Sequence, residues 1–287
     1  MHLMEHATDV ISRWSKPIGD FIPAFFDQSP ALKLVIGHAA IILHGSTTLG
    51  IDDSFSDLDL WVIVPANILQ QVEVIAGKRF FSFTLSGKEG HFNLEAIDEV
   101  IRRVRQCDME KIAELRIGHL LQDVEENGQL LIDLARQPMT ESVRRAWFFY
   151  HYVEMRGFHR SSRNPIERGH AIAILQALVP ALDHALRAAM VLDHQPYPYI
   201  KWLAHAARGT PTGRRIVHLV EQIIDQLTAS ALQQARPERD HPISQKLRQI
   251  RQILIEAARA SGIDEPWLDR WWEHIAPARA AIASIQW

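Results

Sequence analysis

Asp57 and Asp59 stand one residue apart at the head of an apolar run, Leu60-Trp61-Val62-Ile63-Val64. The run predicts a buried strand. Strand side chains alternate between faces, so the two carboxylates project from one face while Leu58 and Leu60 project from the other. Adjacent carboxylates repel each other, and both stay ionised when a cation lies between them. An all-oxygen donor set suits a hard ion such as Mg2+. Eleven residues before Asp57 comes Ser46, the second residue of a Gly45-Ser46 turn. A glycine turn lets backbone N–H donors approach a phosphate without side-chain obstruction. Together these residue types fit displacement at phosphorus, in which two ions about 3.5–4 Å apart clamp the attacking and leaving oxygens.

The elements needed to hold these groups are readable around them. Residues 8–28 predict one or two short helices, with Pro17 at a helix start and Pro30 ending the stretch. Leu32 to Leu43 is apolar and β-branched and predicts a strand running into Gly45-Ser46, with a bulge or close approach at Gly37. Pro65 opens a helix to about Ile75. Lys78–Leu85 and His91–Ile97 predict a hairpin around a five-residue loop, 86–90. Asp98 is a predicted N-cap for a helix to about Leu115. An extended piece near 117–122, a turn at Asn127-Gly128 and a helix near 129–136 follow. From Thr140 onward the pattern is helical. Thr140 caps a helix to about Arg160, and Asn164-Pro165-Ile166-Glu167 opens another that keeps apolar spacing to Leu186 with a kink at Pro180. Further helices are predicted near 210–236, 241–261 and 264–285. The reading is an α+β half, residues 1–137, followed by an all-α half, residues 138–287.

Composition narrows the function classes. The chain has 287 residues, 47% of them apolar and 23% charged, with a net charge of −3, so nothing indicates disorder or an extended basic surface for nucleic acid. One cysteine, Cys107, excludes an intramolecular disulfide and any multi-cysteine zinc site. The fifteen histidines include no His-x-x-x-His pair beside a carboxylate. The first residues carry no charged-then-apolar leader pattern, and apolar stretches fall short of the ~20 residues that span a bilayer. The expectation is a soluble cytoplasmic protein, with its oligomeric state open.

Gly45-Ser46 followed by Ser56-Asp57-Leu58-Asp59 at a strand start resembles the signature of the nucleotidyltransferase fold, the superfamily of polymerase β. Gly50 and Asp52-Asp53-Ser54-Phe55 look like its small bacterial two-domain members, which include aminoglycoside and lincosamide nucleotidyltransferases. The likeness is specific over residues 33–97. It is looser in the helical half, where Tyr197-Pro198-Tyr199-Ile200-Lys201-Trp202-Leu203 is similar to a Lys-Trp-Leu element. Leu49 departs from the pattern, standing where many members carry an arginine. The resemblance implies an N-terminal nucleotidyltransferase-type mixed sheet flanked by helices, forming a catalytic domain over 1–137, and a C-terminal helical bundle that binds substrate. It implies phosphate contacts from the Gly45 and Ser46 backbone and the Ser46 hydroxyl. Asp57, Asp59 and a third carboxylate, best matched by Glu95, would ligate two Mg2+ ions, and Lys201 would meet the triphosphate. Glu95 is also chemically able to serve as general base toward an acceptor hydroxyl. The implied reaction moves a nucleoside monophosphate from an NTP, most commonly ATP, to a hydroxyl of a small molecule and releases pyrophosphate.

Other uses of these residues compete with that reading. Asp52 and Asp53 are expected to shape the loop before Asp57, and the tryptophans to pack helices. Residues 138–200 hold five carboxylates against seven arginines, a balance that gives no support to a cationic aminoglycoside acceptor and leaves neutral or anionic ones. Leu49 encourages an alternative, a nucleotide-binding regulatory protein without transfer activity. Arg163 and His170, seven apart, have a spacing similar to that of a family of small helical ribonucleases, and RNA cleavage is a further alternative, against which the near-neutral charge weighs.

Overall fold

The computed structural model describes the backbone of residues 2–287 and the side chains of residues 11–228 and 231–287; Met1, where the leader reading begins, lies outside the described residues. The chain forms two compact units, Met1–Gln137 and Pro138–Trp287.

The first unit is built on a five-stranded mixed sheet in the order β3-β4-β2-β1-β5. Its strands are β1 (Ala40–His44), β2 (Leu58–Val64), β3 (Phe80–Leu85), β4 (Lys88–Ala96) and β5 (His119–Asp123). β2 and β4 run parallel, and the other neighbours are antiparallel. The helices are α1 (His2–Asp27), α2 (Pro30–Lys33), α3 (Ser46–Leu49), α4 (Ala66–Ala76), α5 (Ile97–Arg105), α6 (Met109–Ile117) and α7 (Asn127–Arg136). Strand alternation splits the sheet into two faces. Leu58, Leu60, Val62 and Val64 of β2 join Phe92, Leu94 and Ala96 of β4 in one core, closed by Ile18, Ile22 and Phe26 of α1 and Ile68, Leu69 and Val72 of α4. The four-residue spacing on α1 is what gives that helix an apolar stripe to bury. The opposite face carries Asp59, Trp61 and Ile63 beside His91, Asn93 and Glu95, with α6 and α7 packed on β1.

Local chemistry explains where the elements depart from expectation. Leu32–Leu43 is not one strand: Ser29 and Pro30 start the single turn α2, further turns follow through Gly37 (φ 88°), and only Ala40–His44 pairs. Pro17 and Pro23 lie inside one continuous α1. The hairpin loop has two residues and not five, because Lys88 and Glu89 pair with Leu85 and Thr84. Ser86 and Gly87 both have positive φ (52° and 80°), as a type I′ turn requires. The helix expected from Asp98 to Leu115 is two helices. It starts after Ala96, and the chain turns at Cys107 (φ 59°) before the Asp108 carboxylate accepts the Lys111 N–H at 3.0 Å and caps α6. Asn127 and Gly128 open α7 and make no separate turn.

The second unit is helical: α8 (Glu141–Ser161), α9 (Arg163–Arg168), α10 (Ala171–Leu192), α11 (Ile200–Arg208), α12 (Pro211–Ile224), α13 (Ala229–Gln233), α14 (Pro242–Ala260) and α15 (Ile275–Ala283). Single 3-10 turns lie at Glu238–Asp240, Pro266–Leu268 and Trp271–Glu273. Thr140 caps α8 through the Val143 N–H. The helix expected from Asn164 is broken at Gly169 (φ 65°) into α9 and α10. Gln176, Asp183, His184 and Arg187 interrupt the apolar stretches of α10. Among the described residues it is the one helix long and apolar enough to cross a membrane. It is packed by α8, α11, α12 and α14, the surroundings of a bundle's central helix.

Candidate metal centre

Asp59 is the second residue of β2 and pairs with His44 of β1 on one side and His91 of β4 on the other. Because β2 and β4 run parallel in this register, Asp59 and His91 face the same way, and Asp57 joins them from the approach to the strand. The His91 Nε2 lies 2.7 Å from Asp59 Oδ1 and 3.5 Å from Asp57 Oδ2. One donor atom from each of Asp57, Asp59 and His91 falls within 4.8 Å of the others, so the three side chains can hold a divalent metal ion. All three are partly exposed, which leaves open positions for other ligands. As it stands, the imidazole Nε2 lies between two carboxylates that would otherwise repel, and a metal ion would take that same nitrogen as a ligand. The donor set is two oxygens and one nitrogen, where the sequence led us to expect oxygens alone. Imidazole widens the choice of ion from Mg2+ toward Mn2+ and Zn2+.

Gly45 makes room for this cluster. Its backbone adopts φ 76°, ψ −148°, and a Cβ there would lie 2.4 Å from Asp59 Oδ2. Any side chain at 45 would therefore compete with the carboxylate for its place. The chain then makes the single turn α3, with the Thr48 hydroxyl donating to the Gly45 carbonyl at 3.1 Å, and leaves it through Gly50 in the left-handed region. Ser46 and Thr47 are buried at 2% and 0% exposed. Ser46, expected to meet a phosphate, opens this turn at 2% exposed, and Gly45 before it leaves space for Asp59.

Glu95 is not part of the cluster, and its expected role as third ligand is corrected. In the β2–β4 register it stands opposite Ile63, four residues beyond His91, which is about 13 Å along a strand. Its carboxylate instead accepts from Lys111 Nζ at 2.9 Å and lies 3.5 Å from Arg103. Lys111 is nearly sealed, and its ammonium rests 3.3 Å from the Trp61 ring centroid. Burial pulls the Lys111 ammonium down in pKa, against which the Glu95 and Glu114 carboxylates push it up. Burial pushes Glu114 up to about 7, with Lys111 opposing and Glu110 and Asp108 adding to the rise. Glu95 thus compensates a buried lysine.

The remaining candidates fall elsewhere. Asp52 pairs with Lys88 at 3.0 Å. Asp53 accepts the Phe55 N–H and the Ser56 hydroxyl, which hold its carboxyl below the usual range; both aspartates shape the loop, as expected. Lys201 is an exposed residue of α11 in the second unit, its ammonium 5.0 Å from the Trp202 ring centroid. Arg163 pairs with Glu167 at 3.0 Å and lines a cavity to which His170, at the start of α10, does not contribute.

His91 escaped the sequence reading. His91, Asn93 and Glu95 alternate onto one face, so the pattern offers three neighbours for Asp59, and only the register between β2 and β4 selects among them. No protein-family model and no curated protein matches the chain. Among solved structures, a nucleotidyltransferase-like protein from Exiguobacterium sibiricum is 13% identical to it, with 93% of this chain and 89% of that chain covered and a TM-score of 0.46. At that level the likeness carries no weight for the chemistry, which rests on Asp57, Asp59 and His91 themselves.

Proposed function

We propose that the protein is a metal-dependent nucleotidyltransferase that moves a nucleoside monophosphate from an NTP, with ATP the first donor to try, to a hydroxyl of a small neutral or anionic molecule, releasing pyrophosphate. The observation that carries this reading is the convergence of Asp57, Asp59 and His91 at one end of the β2–β4 pair. Divalent ions, when bound, neutralise phosphate oxygens and favour in-line displacement at phosphorus. Asp57 and Asp59 would hold the divalent metal, Mg2+ or Mn2+, that offsets the charge of the triphosphate. His91 would complete the donor set, and Gly45 keeps the place of the Asp59 carboxylate clear. Lys111 and Glu95 stay out of the chemistry as a closed pair.

That pairing also favours a second reading, nucleotide binding without transfer, because the carboxylate expected to act as base is already engaged. The two are separated by incubating the protein with each labelled NTP, Mg2+ or Mn2+ and an extract of small metabolites. The transferase reading expects metal-dependent pyrophosphate release that is abolished in Asp57→Ala and Asp59→Ala. Tight NTP binding with no pyrophosphate under any acceptor supports the second reading. Absence of both metal and nucleotide binding overturns the two together.

A further inference from the structure

In the second unit, the C-terminal half of α8, the start of α9 and the 3-10 turns Glu238–Asp240 and Trp271–Glu273 enclose a cavity of about 140 Å³. Arg156, His159, Arg160, Arg163, Glu238 and Trp271 line it. The first three, at i, i+3 and i+4 on α8, share one helix face. Like charges at that spacing repel, so their compensation has to be traced. Glu238 is taken up by Arg248 at 2.7 Å and faces His159 at 3.8 Å. Arg163 is paired with Glu167, and Arg251 lies 3.7 Å from Asp269. Five guanidinium groups thus meet three carboxylates, which leaves two positive charges unbalanced.

Those charges fall on Arg156 and Arg160. Arg156 gives one Nη1 bond to the Tyr152 hydroxyl at 3.1 Å, while its Nε is buried with no hydrogen-bond partner. A buried guanidinium donor left unmatched is costly, and native structures rarely keep one without a ligand or water to receive it. Arg160 is exposed and has no partner among the described residues. His159 is held down to about 4 by burial and by Arg156, Arg248 and Arg251, so at neutral pH it adds no charge of its own. A second, largely apolar depression of about 310 Å³ shares Arg160 and Trp271 with the cavity and continues along Val153, Gly157, Phe158 and Ile275, with Ser161 and the paired Glu154 and Arg279 also on its wall.

We propose that this cavity binds the phosphate group of a small phosphorylated metabolite, whose apolar part runs past Arg160 and Trp271 into the adjoining depression. A phosphate monoester matches on three counts. Its charge of nearly −2 offsets the two uncompensated guanidiniums, its oxygens suit forked N–H donors, and the space is several times the roughly 30 Å³ of a water molecule. The site belongs to the second unit and does not depend on the metal-centre reading.

Calorimetric titration of the full chain with inorganic phosphate and with phenyl phosphate tests it. One equivalent of each is expected to bind, phenyl phosphate the more tightly because its ring enters the apolar depression. Arg156→Gln and Arg160→Gln should each weaken binding by about 10-fold or more, the loss of a charge-assisted hydrogen bond. Arg160 is exposed, so its variant folds and keeps the test valid should Arg156→Gln be unstable. Asp59→Asn should bind both probes as the wild type does. Absence of saturable binding, unchanged affinity in Arg160→Gln, or loss of binding in Asp59→Asn would overturn the proposal.

Discussion

At Gly45 a single missing side chain decides whether the metal centre can exist. The backbone there occupies a region that only glycine enters freely, and a methyl group at this position would meet a carboxylate oxygen of Asp59 before any other atom. Gly45→Ala is expected to lower stability by ~1–3 kcal/mol from backbone strain. It should also weaken Mn2+ binding, because the Asp59 carboxylate has to rotate away; urea unfolding and Mn2+ titration by electron paramagnetic resonance read the two effects separately. The glycine was legible in the sequence as a turn, and so were both aspartates. Its real task, leaving space for Asp59, was not legible, because that contact joins the end of β1 to the start of β2 across the sheet.

Elements, more than residues, account for what the sequence reading got wrong at the site. The apolar run from Leu58 and the alternation in His91–Ala96 made both strands readable. Their parallel register was not, since nothing local states which residue of β4 faces Asp59, and Glu95 is the residue that best matches the third carboxylate the resemblance implies. The structure gives Glu95 to α6, where Lys111 is buried against Trp61. Removing one partner of such a pair leaves an uncompensated charge. Glu95→Gln is expected to cost ~3 kcal/mol in urea unfolding, the low end for a broken buried pair, since Glu114 still lies 4.0 Å from Lys111. Glu95→Gln/Lys111→Met should recover most of that loss and bind Mn2+ like the wild type. If Glu95 were a metal ligand, the double variant would be stable yet deficient in metal.

On the scale of the whole molecule, the change from mixed sheet to helices was visible in the shift of apolar period after Thr140, while the breaks at Gly169 and Cys107 were not, because each depends on one residue in a left-handed conformation. A ligand held by one unit stabilises that unit first. Hydrogen exchange with and without Mn2+ is therefore expected to show new protection at the β1–α3 junction and the first residues of β2 and β4, with the amides of α8 and α9 unchanged. Protection spread evenly over both units would contradict a metal centre made only of Asp57, Asp59 and His91.

The two-residue turn at Ser86 and Gly87 has a reach well beyond its size. It starts β4 directly after β3, and with the alternation that buries Phe92 it leaves His91, four positions downstream, on the Asp59 side of the sheet. A slip of β4 by one residue against β2, in the direction that sets Phe92 opposite Asp59, would carry His91 to the core side beside Leu58 and abolish the ion site without altering any ligand.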